Sequence, residues 1–346
     1  MARYTRFING FVFRDDTLAD NDEVWIDSQS GQIIDPNVHC PLAENTNIIN
    51  LQGKIICPGF IDIQINGAFG FDFAGLDPNM SVIEFKQGLH ATNQRLVTTG
   101  TTSYLPTMTS QFEKTYRKIL PLLGPTGASR DAALGAESLG AHTEGPFFAH
   151  TKKGCHSPEA ILSLGNTSPP KLLKQVYGEE NLFSYVKMVT LAPEREGALD
   201  SIRELSQNGI VASIGHTAAT YQEAVAGIIA GSKVITHLYN AMNSMHHREP
   251  GLFGLVACPR DKVFKDRPDM SDDGRPYYGL IADGLHVHPA AIRLAWETHP
   301  RGLILITDAV MLMGCEDGVH QWTNGQRIVK RGSLLQLEGL ETIAGR

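Results

Sequence analysis

Cysteine is scarce in this chain of 346 residues, and where it occurs it is solitary. Cys40, Cys57, Cys155, Cys258 and Cys315 are odd in number, far apart and never arranged as C-x-x-C, which argues against a disulfide framework and a cysteine-based zinc site. A reducing, cytoplasmic setting is expected. No apolar run is long enough to cross a bilayer, and Met1 to Asp15 sets charges among its apolar residues where a signal peptide would have none. A basic stripe is missing too: 30 Lys and Arg stand against 37 Asp and Glu, the net charge is −7, and the cations are scattered. That excludes the electrostatic footprint of a nucleic-acid binder. Internal repeats and low-complexity tracts are also lacking. What is present is a globular composition, 42% apolar and 19% charged, with enough apolar surface for a sizeable core. A small molecule is the expected partner, with neither nucleic acid nor membrane.

Residues 1–57 read as a small β domain: short β-type runs over 4–13, 23–26 and 48–56, with a turn at Ser30-Gly31. After Cys57-Pro58-Gly59 the pattern changes to short apolar runs ending in polar residues and alternating with helical segments, the mark of repeated βα units over residues 58–346. Candidate strands are 60–65, 101–105, 139–142, 186–191, 211–214, 234–236, 278–281 and 303–306. Eight such strands predict a (β/α)8 barrel. An open doubly wound sheet is the alternative, but it would bring G-x-G-x-x-G after its first strand, and Asn66, Gly67 and Ala68 do not match. The polar, charge-rich residues 259–276 read as a loop or flap before the seventh strand.

Polar residues fit for metal binding or proton transfer stand at or just after the strand ends: Gln64, Asn66, Glu144, His216, His237, Asp283 with His286, and Asp308. In a barrel these positions converge on the C-terminal face, where active sites are built. Taken singly, each is as readily a helix cap or a hydrogen-bonded structural group. Their concentration on one rim is what points to function. Glu144, His216 and His237 make a ligand set of one carboxylate and two imidazoles that leaves a position open for water on zinc or a similar ion. Such an ion lowers the pKa of bound water and polarises a carbonyl. Asp308 can take the proton of that water and pass it to a leaving amine.

Pro58-Gly59-Phe60-Ile61-Asp62 resembles the amidohydrolase superfamily, most of whose members have His-x-His where this chain has Gln64-Ile65-Asn66. That exchange favours a single divalent ion per chain. The blocks HTEGPF (142–147), KKGCH (152–156), SIGHT (213–217), THLYNAM (236–242), HHREPG (246–251), ADGLHVHP (282–289) and ITDAV (306–310) are similar, in order, to the N-acetylglucosamine-6-phosphate deacetylase family. The resemblance implies a metal-dependent amide hydrolase acting on a phosphorylated N-acetyl amino sugar, built as a TIM-type barrel with a small β-sandwich domain. It implies Glu144, His216 and His237 as metal ligands, Asp308 as general base and acid, and His156 as the donor to the acetamide oxygen. Substrate contacts are implied for Cys155, through its backbone, and for Asn240, Ala241, Arg248, His286, Thr342, Ile343 and Ala344. Arg248 and His286 are suited to the phosphate. In this family that arginine is often supplied by the neighbouring subunit, which implies a homodimer. Gln64 is expected near the metal, either orienting water or substrate or held in a purely structural side-chain hydrogen bond. His142, Asp283 and His288 are supporting or structural candidates.

The family pattern runs on beyond a Leu-Ala-Gly-Ser stretch into a last barrel helix and back into the β domain, whereas this sequence reaches Thr342-Ile343-Ala344-Gly345 and ends at Arg346. The closing helix and strands are therefore expected to be missing, with apolar surface exposed on strands one and eight. Two other functions follow as alternatives: a truncated form, inactive or only binding ligand, and an amidohydrolase acting on a cyclic amide.

Overall fold

The computed structural model describes the chain except residues 1, 15, 21, 40–42, 76–79, 129–130, 163–168 and 259–273. Most of the expected 259–276 loop thus lies outside the described residues. The chain divides into two compact units, Met1–Phe60 and Ile61–Arg346.

Met1–Phe60 holds a four-stranded sheet, ordered Gln32–Ile33, Val24–Asp27, Tyr4–Ile8, Thr46–Asn50, and a three-stranded one, ordered Thr17–Asp20, Phe11–Arg14, Ile55–Ile56. Each long run read from the sequence breaks in two. Asn9 (φ 57°) divides the first, and Gln52 and Gly53 (φ 53° and 76°) divide the second, so the chain changes sheet at residues in the left-handed region.

In the second unit the eight parallel strands lie in chain order: Phe60–Ile65, Thr101–Met108, Ala141–Glu144, Val186–Leu191, Val211–Ile214, Val234–Ile235, Tyr277–Ile281 and Leu303–Ile306. This is the expected barrel. Four strands have the expected bounds because each is a short, mainly apolar run containing β-branched or leucine residues. The third strand lies two residues later than expected, so Glu144 is its last residue rather than a loop residue. Helices connect the strands. Val82–Leu96 and Tyr221–Ala230 each open on a full capping box, Ser81 with Glu84 and Thr220 with Glu223, which satisfies the first free N–H groups and fixes where the chain leaves the rim.

Strands eight and one meet just past their ends. Asp308 N–H donates to Gln64 O at 2.9 Å and Asn66 N–H to Ala309 O at 2.7 Å, around a single bridge of Ile65 with Ala309. Along these two strands Phe60, Ile61 and Leu305 are 66%, 55% and 59% exposed. Among the described residues after strand eight the chain forms a three-stranded antiparallel sheet, Gly318–Gln321, Arg327–Arg331 and Leu334–Leu337, and no helix. Inside the barrel a buried polar chain runs from Ser213 to Thr236 (2.6 Å), Thr190 (2.8 Å), His142 (2.7 Å) and Thr107 (3.2 Å). Burial pulls the His142 imidazole down to about 4, so it serves this chain as a neutral ring.

Candidate active site

The strand ends deliver three side chains to one point. One ligand atom from each of Glu144, His216 and His237 lies within 4.8 Å of the others, and all three residues are buried. His216 and His237 have φ of 49° and 29°, and Asp308 has 48°, conformations that L residues rarely adopt. Such strain is held only where surrounding structure over-determines it, as at working sites. His216 Nδ1 donates to Lys152 O at 2.8 Å, which leaves Nε2 as a lone pair facing His237 Nε2 at 3.0 Å and Glu144 Oε1 at 3.2 Å. Burial pulls the His237 imidazole down, yet Glu144 outweighs it and holds the ring above its ordinary value. Lone pairs converging on one spot that draws positive charge fit a divalent cation with nitrogen and oxygen ligands.

Beside this trio stands Asp308. Its Oδ1 accepts from Asn66 Nδ2 at 2.7 Å and Gln64 Nε2 at 3.3 Å, and the same Gln64 amide donates to Glu144 Oε1 at 2.8 Å. The amides of Gln64 and Asn66 therefore tie Glu144 and Asp308 together. Burial, then the Glu144 charge, raises the Asp308 carboxyl to about 8. Behind it Asp62 accepts from the Thr307 hydroxyl at 2.6 Å and from Gln64 N–H at 3.1 Å. Burial pushes the Asp62 carboxyl up to about 6.

His156 sits 3.8 Å from Glu144 through Nε2. Burial, followed by the His216 ring, lowers it to about 3, so it is neutral. Its Nδ1 accepts the Ser110 backbone N–H at 3.0 Å, so the proton must be on Nε2. That nitrogen is a donor turned toward the trio.

A cavity of about 300 Å³ lies over these groups, lined among others by Asn66, Cys155, His156, Asn240, Ala241, His286, Asp308, Trp322, Thr342 and Ile343. Asn66 Oδ1, Asn240 Nδ2 and His286 Nε2 are buried without a protein partner. Three orphaned polar atoms around one cavity fit a polar ligand. Asp283 holds His286 through Nδ1 at 2.7 Å. His288 instead caps the helix Pro289–Thr298.

The structure gathers most of the expected site residues and leaves three outside the cavity lining. Gln64 spends its amide on Glu144 and Asp308, Ala344 is packed in the apolar cluster behind Trp322, and Arg248 lies exposed on a turn. Thr109, Val310 and Trp322 line the cavity and were not legible as site residues. The Trp-Thr-Asn-Gly turn is the one sequence signal available for the hairpin that carries Trp322.

No family model matches the chain. It is 39% identical over 344 residues to the N-acetylglucosamine-6-phosphate deacetylase of Caenorhabditis elegans, covering 98% of this chain and 77% of the relative. The human protein of the same name is 35% identical over 355 residues, covering 99% and 78%. A variant of the Mycobacterium smegmatis deacetylase, solved with N-acetyl-D-glucosamine-6-phosphate, superposes with a TM-score of 0.76 at 26% identity, covering 99% of this chain and 80% of that one.

Proposed function

The chain belongs to the N-acetylglucosamine-6-phosphate deacetylase family, and from that premise we propose that it hydrolyses N-acetylglucosamine 6-phosphate to glucosamine 6-phosphate and acetate in amino-sugar breakdown. The observation that carries the reading is the convergence of Glu144, His216 and His237 beside an unliganded carboxyl, Asp308, and a neutral imidazole donor, His156.

Glu144, His216 and His237 would hold one divalent ion, zinc in our reading, which when bound supplies Lewis acidity toward the amide carbonyl and toward water. Asp308 accepts the proton of the attacking water and returns it to the departing nitrogen, and a carboxyl raised toward neutrality is matched to both tasks. His156 donates through Nε2 to the oxygen on which negative charge develops. Asn240 and His286, with their orphaned atoms, take the phosphosugar, assisted by Ala241, Thr342 and Ile343. Arg248 is exposed and is not among the residues lining its own cavity, so we assign it to the phosphate held by a neighbouring subunit, in a homodimer. Among the described residues Cys57, Cys155, Cys258 and Cys315 form no disulfide, which supports a cytoplasmic enzyme.

The test is to strip the purified protein with a chelator, titrate in Zn²⁺, and follow acetate release. Turnover should rise to a plateau at about one ion per chain, since Gln64 and Asn66 replace the second pair of ligands. No acetate at any metal loading overturns the reading.

A further inference from the structure

We propose that Trp322 forms the acyl-side wall of the cavity and limits the acyl group removed to acetyl, an inference that rests on the deacetylase reading above. Trp322 begins the turn of a hairpin, closed by its own N–H to Gln326 O at 2.7 Å and by Gly325 N–H to Trp322 O at 3.0 Å. A residue at a turn ordinarily faces water. This one is 4% exposed and lines the cavity instead.

The ring is fixed from behind. Its indole N–H donates to Asp72 Oδ2 at 3.0 Å, and the Thr323 hydroxyl donates to the same oxygen. Asp72 is buried, and the loop that carries it comes so close that a Cβ on Gly75 would lie 2.4 Å from Thr323 Cγ2. Loop one is thereby stapled to the turn that holds Trp322.

Two sides of the cavity differ in chemistry. Asn240, Ala241 and His286 come from the loops after strands six and seven, and two of them bring orphaned polar atoms. Cys155, from the loop after strand three, and Val310 share one apolar cluster with Trp322. Burial pushes the Cys155 thiol up to about 12, so it stays uncharged. In a barrel of eight strands in chain order, loop three, which carries Cys155, stands across the rim from loops six and seven, while Val310 and Trp322 belong to the segment after strand eight, which the Asp72 contact ties to loop one. The phosphosugar takes the polar side. Cys155 precedes the oxyanion donor His156, and Val310 follows the base Asp308 by two residues, so the apolar wall adjoins the reacting groups. The carbonyl carbon carries one substituent besides oxygen and nitrogen, and that acyl chain then meets Trp322.

The experiment measures kcat/KM of the metal-loaded protein for N-acetyl-, N-propionyl- and N-butyrylglucosamine 6-phosphate in the wild type, Trp322→Leu, Trp322→Phe and Asp72→Asn. Closed apolar pockets discriminate on the order of 10-fold or more per methylene, so Trp322→Leu should raise the propionyl-to-acetyl ratio by about 10-fold. Trp322→Phe should raise it less, and Asp72→Asn, which loosens the staple from outside the cavity, should move it in the same direction. The Phe variant keeps the cluster filled and decides the matter where the Leu variant does not fold. An unchanged ratio in a folded, metal-loaded variant overturns the proposal. So does an equal rise in KM for all three substrates, which would make Trp322 a platform for the sugar. Release of no acid at all by the loaded wild type strikes the deacetylase reading itself.

Discussion

Strand three, Ala141–Glu144, is buried at every residue and pairs with strand four over four residues, which in turn pairs with strand five over four. The seam between strands eight and one is built otherwise. It has one bridge, three backbone hydrogen bonds, two of them to Ala309 O, and side chains in place of a ladder: Asp62 with Thr307, and Gln64 and Asn66 with Asp308. Its apolar residues Phe60, Ile61 and Leu305 are exposed. Of the proposed metal ligands, Glu144 ends strand three and His216 and His237 follow strands five and six, while the proposed base, Asp308, stands on the seam. A ligand set tolerates little displacement before affinity is lost. A proton shuttle needs reach and the right charge state, which amide donors can tune.

The comparison breaks first at the ligands. His216→Ala or His237→Ala should empty the metal site and reduce turnover by roughly 10³-fold or more, read by elemental analysis beside acetate release. Retention of a full equivalent of ion by either variant would move the metal away from this sector. At the seam the outcome should be different in kind: Asp308→Asn keeps the ion and lowers kcat by roughly 10²–10⁴-fold with KM little changed. A variant with most of its kcat would make Asp308 structural.

The seam also carries a pH signature. Burial raises the Asp62 carboxyl from 3.8 to about 6 in the folded protein, so its protonated form favours folding. The stabilisation is fully present below about pH 4 and is lost as the pH rises through 6. Asp62→Asn lacks that titration, so its stability relative to the wild type should rise between pH 4 and 6, by up to about 3 kcal/mol. Parallel denaturation curves for both proteins across that window would show that the carboxyl is not buried in a way that matters.

The two regions were also unequally readable. Strands 186–191, 211–214 and 303–306 declare themselves as apolar runs between turn residues, and Glu144, His216, His237 and Asp308 follow from their places at or after strand ends. The seam is a matter of partners 242 to 245 residues apart, as Asn66 is from Asp308 and Asp62 from Thr307, and periodicity says nothing about such pairs. For Gln64 the sequence supports a place near the metal, but only the folded chain shows its amide shared by Glu144 and Asp308. The sheet over 318–337 is not legible in the sequence because Lys330 and Arg331 interrupt its alternation.

The smallest expected effect belongs to Arg248, which follows the laddered sector in sequence yet takes no part in its own cavity. If it serves the phosphate bound by a neighbouring subunit, Arg248→Ala should raise KM for the phosphorylated sugar and leave the unphosphorylated one nearly unchanged. A guanidinium paired with a dianion in a partly shielded site contributes about 2 kcal/mol, which corresponds to roughly 30-fold in KM. The metal ligands and Asp308 are untouched by the change, so kcat and metal content should hold. Mixing Arg248→Ala with Asp308→Asn chains sharpens the point: a mixed dimer pairs one intact catalytic set with one intact arginine, and part of the low-KM activity should return. An equal loss on both sugars would remove Arg248 from the phosphate. Failure of the mixture to recover, with the single variant impaired as expected, would place the arginine in the site of its own subunit.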